Sequence, residues 1–262
     1  MRLAVLTSVP RGTASRCLPA LVASPELEIA GVVLARGVTD RRWRHRWRKL
    51  KKIARIGPLG ALVGWRMRAW YAEPEAEDVR AVCRRLGVPL LESSAINHPR
   101  TFELLRGLAP DLGLVLGAGY VGRRVFEVPR HGMINVHGEV LPRYQGAASV
   151  VWAIHDGLDE TGFAIHRLDD RIDTGDVLHV ERFPIAWRPT LEETVRASVA
   201  RFRPRVAPAL VRVCEDWDGS VARAEPQPRG RSYTTPTFRE YRRMMRMHRR
   251  MWAEAQRARA AA

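Results

Sequence analysis

The chain opens on an apolar run, a helix and a second apolar run, and that order restricts its fold more than any other feature. Residues 2–7 have no helical period and read as a buried parallel strand. Val9-Pro10-Arg11-Gly12-Thr13-Ala14-Ser15 reads as a turn into a helix over 14–23, and 28–34 (EIAGVVL) as a second buried strand. A β-loop-α-β opening implies a parallel sheet with right-handed crossovers. The pattern continues: a helix over 78–86 leads to Val88-Pro89-Leu90-Leu91, and one over 100–107 leads to the strand 112–116. After Gly117 and Gly119 comes Met133-Ile134-Asn135-Val136, then a helix over 147–156 and two strands, 163–168 and 177–183, flanking the 169–176 loop. The fold expected is α/β, with an open, mostly parallel Rossmann-like sheet over 1–187 and a short helical, basic C-terminal extension over 188–262. A helix over 191–214 starts that extension near Thr190, with Glu192 and Glu193 in its first turn.

At 262 residues and 46% apolar composition the chain can bury a sizeable core. Cys17, Cys83 and Cys214 are far apart and form no CxxC pair, so free thiols in a reducing cytoplasm are expected. The first residues read as a strand rather than a signal peptide, and no apolar run reaches the ~18 residues of a membrane span.

Chemistry concentrates in Asn135-Val136-His137, Leu141-Pro142-Arg143-Tyr144-Gln145-Gly146 and Asp173-Thr174-Gly175-Asp176. Two residues apart on a strand, Asn135 and His137 share a face. An amide and an imidazole there can hold a developing oxyanion while the Asp173 carboxylate orients the imidazole or accepts a proton through water. In open α/β sheets ligands bind outside the carboxyl ends of the strands, and Gly117, His137 and Asp173 all fall there. No GxGxxG fingerprint follows the first strand, which disfavours a nicotinamide cofactor. His131, His155, His166 and His179 make no metal-ligand spacing with any cysteine, so no metal is expected.

The stretch INVHGEVLPRYQGAASVVWAIHDGLDETGFAIHRLDDRIDTGDVL resembles the core of the folate-dependent formyltransferases, the methionyl-tRNA, glycinamide ribonucleotide and sugar N-formyltransferases. The resemblance is strong over 110–185, weaker over 1–35, and poor over 36–75 and beyond 190. It implies 10-formyltetrahydrofolate as formyl donor, a primary amine as acceptor, and catalytic roles for Asn135, His137 and Asp173. It also implies a donor gripped mostly by main chain, at Leu116-Gly117-Ala118 and Asp169-Asp170-Arg171-Ile172. Gly12 and Thr13, at a helix N-terminus, either hold an acceptor phosphate through backbone N–H groups or form an ordinary turn. Tyr144 and Gly146 are further candidates for acceptor binding. Glu139 departs from the family pattern, which has a small or hydroxyl residue there; it is expected to alter the acceptor site, favour a cationic amine or face solvent.

The net charge of +16 is uneven. Residues 41–68 hold eleven Lys or Arg and no acid, and 229–262 hold ten against Glu240 and Glu254, leaving the rest of the chain at −3. In the basic insertion over 41–72, Trp43, Trp47 and Trp65 interleave with the cations, and Ile53, Ile56, Leu59, Leu62 and Val63 suggest an apolar stripe broken at Gly57-Pro58. That composition suits a helix packed on the domain, an anionic membrane surface or a nucleic acid. Residues 237–259 read as an amphipathic basic helix, and removal of 229–262 is expected to spare the chemistry but damage assembly or acceptor binding, with a homodimer in view. The acceptor first expected is a small-molecule amine, a nucleotide-linked amino sugar; methionyl-tRNA is the alternative. Against tRNA stands the extension, which looks helical where the tRNA enzymes have a β-barrel. A third possibility is a catalytically silent fold that binds membrane or RNA through the basic segments. On any of these readings the protein is expected to be cytoplasmic, free or peripheral to the membrane.

Overall fold

The computed structural model describes residues 1–38, 42–146, 148–228 and 230–261, with side chains described outside 42–49, 51–52 and 261. Arg41, Ala147 and Arg229, which fall in the expected insertion, helix and linker, lie outside the described residues, as do the side chains of Trp43 and Trp47.

The first half alternates strand and helix: β1 (Arg2–Thr7), α1 (Thr13–Ala23), β2 (Glu28–Ala35), α2 (Arg42–Trp70), α3 (Val79–Leu86), β3 (Leu90–Ser93), α4 (Pro99–Leu108) and β4 (Leu112–Val115). There follow α5 (Arg123–Phe126), β5 (Met133–His137), α6 (Val151–His155), the hairpin β6 (Glu160–Arg167) and β7 (Val177–Pro184), then α7 (Leu191–Glu215), α8 (Trp217–Ala222) and α9 (Phe238–Ala261). One seven-stranded sheet runs β3-β2-β1-β4-β5-β6-β7. Its first five strands are parallel, and the last two pair antiparallel. The expected open, mostly parallel sheet is therefore present. The helix expected over 147–156 is confined to Val151–His155, and α5 and α8 were not anticipated.

Side-chain alternation along the strands builds a core on each face. Leu3, Val5, Val32, Leu34, Leu112 and Leu114 pack with α1, α3 and α7. Ala4, Leu6, Val33, Ala35, Val115 and Met133 pack with α4 and α5 on the other face. From β1 the chain turns towards β2, and from β4 towards β5, so the strand order reverses between these neighbours. A crevice opens there at the carboxyl ends of the strands. Gly117, with φ of 73°, continues β4 into that crevice, and its carbonyl accepts from Ser8 N after β1.

The two basic segments pack on the domain. Gly57, with φ of 75°, breaks α2 and rotates its two halves relative to one another. The apolar stripe expected there, broken at Gly57-Pro58, is divided between core and solvent: Ile56 and Val63 are buried with Met67 and Trp70, whereas Ile53, Leu59 and Leu62 face solvent. Helix α9 starts at a capping box, with Thr237 Oγ1 accepting from Glu240 N and Glu240 Oε2 from Thr237 N. Its Met244 is fully buried, and Tyr241, Met245, Met251 and Trp252 pack around the same cluster as Trp152, Ile154 and Trp187. Its His248 Nε2 lies 2.9 Å from Thr194 Oγ1 of α7. The helix thus completes the core of this chain.

Candidate active site

Period-two alternation puts Asn135 and His137 on the Met133 side of β5, while Ile134 and Val136 pack on the opposite core. The antiparallel register with β6 sets His166 directly across from Asn135. The loop after β6 then returns over the strand ends to deliver Asp173, whose φ of 56° bends it into the crevice. Gly175 makes that return possible, because a Cβ there would stand 2.1 Å from the Arg167 carbonyl oxygen. Asp169 pins the loop: Oδ1 accepts from Arg171 N at 3.0 Å and from Thr174 Oγ1 at 2.7 Å.

Four polar side chains form one connected set. Asp173 Oδ2 lies 3.3 Å from His137 Nδ1 and accepts from Gly146 N at 2.9 Å, while Oδ1 lies 3.4 Å from His166 Nε2. Asn135 Nδ2 is 3.1 Å from His166 Nε2. Carbonyl oxygens only accept, which assigns two protons. His137 Nε2–H donates to Tyr144 O at 2.8 Å, and His166 Nδ1–H donates to Arg167 O at 2.8 Å. Neutral His166 therefore accepts from Asn135, whose second amide hydrogen is left for the cleft. Neutral His137 would aim a lone pair at Asp173, so only the imidazolium satisfies both of its neighbours. Burial opposes that charge and draws the His137 pKa below its ordinary value, against the pull of Asp173. Burial also works to raise the Asp173 carboxyl, but the two neighbouring imidazoles and the Gly146 N–H outweigh it and hold the group at about 2. The two directions are compatible. Whatever the charge on the imidazoles, the Gly146 N–H supports the carboxylate.

These groups line a cleft of about 290 Å³ with Gly117, Ala118, Gly119, Tyr120, Gly146, Leu168, Asp169, Arg171 and Ile172. Gly146 and Ile172 also line an adjoining cavity of about 410 Å³, walled by Gly64, Met67, Arg68 and Tyr71 of and after α2 and by residues 232–236 before α9. The structure thus gathers Asn135, His137, Asp173, Gly117, Ala118, Gly146, Asp169, Arg171 and Ile172. Leu116 is buried in the core, and the Asp170 carboxylate pairs with Arg123 at 2.8 Å instead of entering the cleft. His166, in none of the expected roles, is in contact with two of them; its alternation with Phe163 and Ile165 in β6 was the available signal.

Four of the residues expected to touch the acceptor do not line this cleft. The Tyr144 ring is buried and its hydroxyl donates to Asp156 Oδ2 at 2.9 Å; only its carbonyl reaches the site. Glu139 has no exposed surface and lines neither cavity, so of the roles expected for it facing solvent is ruled out. Its Oε1 accepts from Val140 N and Thr161 Oγ1, both at 3.0 Å, and its Oε2 from Val150 N at 2.7 Å, tying β5 to α6 and β6. Burial is the largest influence on this carboxyl and, despite those donors, pushes it up to about 7. Thr13 opens onto a separate cavity of about 280 Å³ with Arg16, Glu73 and Arg203, where Glu73 pairs with both arginines; Gly12 N is bonded within its own turn by Ser15 Oγ.

The formyl transferase family model matches residues 68–211, more than half of the chain. Methionyl-tRNA formyltransferase of Sorangium cellulosum is 38% identical over 122 residues, covering 46% of this chain and 39% of that protein. The same-named protein of an Anaeromyxobacter strain is 35% identical over 171 residues, covering 61% of this chain and 55% of that one. The chain thus matches well under two thirds of the length of these relatives. In three dimensions the crystal structure of glycinamide ribonucleotide transformylase 1 from Symbiobacterium toebii aligns with a TM-score of 0.55 at 18% identity, covering 89% of this chain and 94% of that one. The connected Asn135, His137, His166 and Asp173 set lies inside the matched segment, and the chain belongs to the formyl transferase family.

Proposed function

We propose that the protein transfers a formyl group from 10-formyltetrahydrofolate to a primary amine. The observation that carries this reading is the Asn135–His166–Asp173–His137 set in a cleft that Gly117, Ala118, Gly119 and Gly146 also line. The neutral amine nitrogen attacks the formyl carbon, and the carbonyl oxygen takes up the electron pair. The free Asn135 amide hydrogen is a donor for that oxyanion, joined by the His137 Nδ1–H when His137 is the imidazolium, each worth roughly 3 kcal/mol when well placed. At 3.3 Å the His137–Asp173 contact is longer than the ~2.8 Å of a tight charged pair, so this proton is free to turn to a nearer oxyanion. Collapse re-forms the carbonyl and expels the folate nitrogen, which gains a proton as the amine loses one. A carboxyl held at about 2 is a weak base near neutrality, which favours Asp173 as the group that stabilises the His137 imidazolium over one that takes the amine proton. Gly117-Ala118 and the 169–172 main chain would hold the donor.

The names of the curated relatives favour methionyl-tRNA as acceptor over a nucleotide-linked amino sugar. A second reading, a small amine, rests on the cavity of about 410 Å³ beside Asp173, whose wall combines Met67, Tyr71, Ile172 and Tyr233 with Arg68. Incubating the protein with 10-formyltetrahydrofolate and either charged initiator tRNA or a panel of amino-sugar nucleotides tests both. The acceptor that gains the mass of one CO identifies the substrate, and no donor turnover with any amine would refute the reaction itself.

A further inference from the structure

We infer that the outer face of α2 docks on an anionic lipid surface. Of the nine large hydrophobic side chains exposed among the described residues, five lie on this one helix: Leu50, Ile53, Leu59, Leu62 and Trp65. Trp65 is 68% exposed and Leu62 54%. After the Gly57 break the helix has two faces of opposite fate. Val63, Met67 and Trp70, spaced four and three apart, are buried against the domain; Leu59, Leu62 and Trp65, spaced three apart, point to solvent. Solvated helices do not ordinarily hold such a stripe open to water, and a patch of this kind marks a contact surface. The charge around it identifies the contact. Arg66 and Arg68 are exposed and form no ion pair with a described residue, and the surrounding 41–68 segment carries eleven cations and no acid. A basic helix with Trp and Leu on one side lies in a bilayer interface with its apolar side among the acyl chains and its cations at anionic headgroups. No helix among the described residues is long and apolar enough to cross a membrane, so the contact belongs to the surface. The inner side of the same helix contributes Gly64 and Met67 to the cavity beside the candidate catalytic set, so docking brings that cavity to the lipid. The inference stands whichever amine is formylated.

The test is co-sedimentation of the full chain with vesicles of phosphatidylcholine alone or mixed with phosphatidylglycerol. Binding is expected to the mixed vesicles only, to fall with added salt, and to drop at least about tenfold in a Leu59→Ser, Leu62→Ser, Trp65→Ser variant. Arg66→Glu alone, which leaves the apolar stripe intact, is expected to weaken it roughly tenfold. An unchanged thermal midpoint shows that either variant is folded. Equal binding to neutral vesicles, or no loss in folded variants, overturns the inference. So does retention on an RNA column without vesicle binding, and so does a wild-type dimer that the triple substitution converts to monomer in the absence of any lipid contact.

Discussion

Asn135 and His166 stand opposite each other in the β5–β6 register, with Nδ2 and Nε2 3.1 Å apart. Because His166 Nδ1–H is committed to the Arg167 carbonyl, its Nε2 is left to accept, and this fixes which way the Asn135 amide faces. Replacing Asn135 by Ala removes an oxyanion donor and is expected to lower kcat roughly 10²- to 10³-fold. His166→Ala frees the amide and Asp173 to turn and is expected to cost roughly 10²-fold, mainly in kcat. Acting through one donor, the two changes should combine to less than their product. Steady-state kinetics on the four proteins decides this, and multiplicative losses would sever the proposed link.

The contribution of His166 was hidden in the sequence for a definable reason. Asn135 and His137 are two residues apart, so strand geometry alone puts them together. His166 is 31 residues from Asn135, and only the antiparallel register brings them into contact. The β-loop-α-β order and the strands around the motif were legible because buried parallel strands read as continuous apolar runs. Glu139 was misread because a carboxylate beside a catalytic motif suggests surface or specificity, and nothing local announces the three donors that surround it. The division of the α2 stripe was not legible because spacing does not say which side of a helix meets the domain: Ile53 and Ile56, both before Gly57, already part between solvent and core.

Asp173 is expected to stabilise the fold in a defined acid window. Its carboxyl is lowered from 3.8 to about 2, so the folded state favours the ionised form. The contribution is full above the unfolded value and is lost as pH falls through about 2; the shift corresponds to about 2 kcal/mol. Asp173→Asn should therefore be less stable than the wild type near neutrality, with the gap closing by about that amount in strong acid. Urea titrations across the acid range give the comparison, and a constant gap would mean that the carboxylate is not held by its neighbours.

Glu139 should act in the opposite sense. Burial raises its carboxyl from 4.5 to about 7, so the folded state favours the protonated form. Stability from this group is complete below the unfolded value and falls as pH rises through about 7, by about 3 kcal/mol in all. Glu139→Gln lacks that titration but sets an amide N–H against a donor, Val140 N or Val150 N. The variant is expected to be destabilised at low pH and to close the gap with the wild type towards pH 8, as chemical denaturation at several pH values would record. Parallel stability curves would contradict the buried carboxyl.

Met244 tests whether α9 is part of the domain. It has no exposed surface and packs with Val151 and Ile154 of α6 and Val195 of α7. Met244→Ala is expected to cost about 2–4 kcal/mol, chiefly through the cavity it leaves. A loss near zero in thermal or urea unfolding would indicate that α9 detaches in solution.

Gly146 connects the fold to the chemistry at a single backbone position. Its φ of 72° favours glycine, and a Cβ there would stand 2.7 Å from the Tyr233 carbonyl oxygen, a main-chain atom with little freedom to move. Ala at this position carries a left-handed penalty of about 1–2 kcal/mol as well as that collision. The Gly146 N–H also donates to Asp173 Oδ2, so any shift that relieves the collision loosens the carboxylate facing His137. Gly146→Ala should lower both the thermal midpoint and kcat. If the kinetic loss travels through Asp173, adding Gly146→Ala to Asp173→Asn will further reduce stability while leaving kcat nearly where Asp173→Asn alone put it. A kcat that falls again by the full Gly146→Ala factor would show that this glycine serves the cleft by another route.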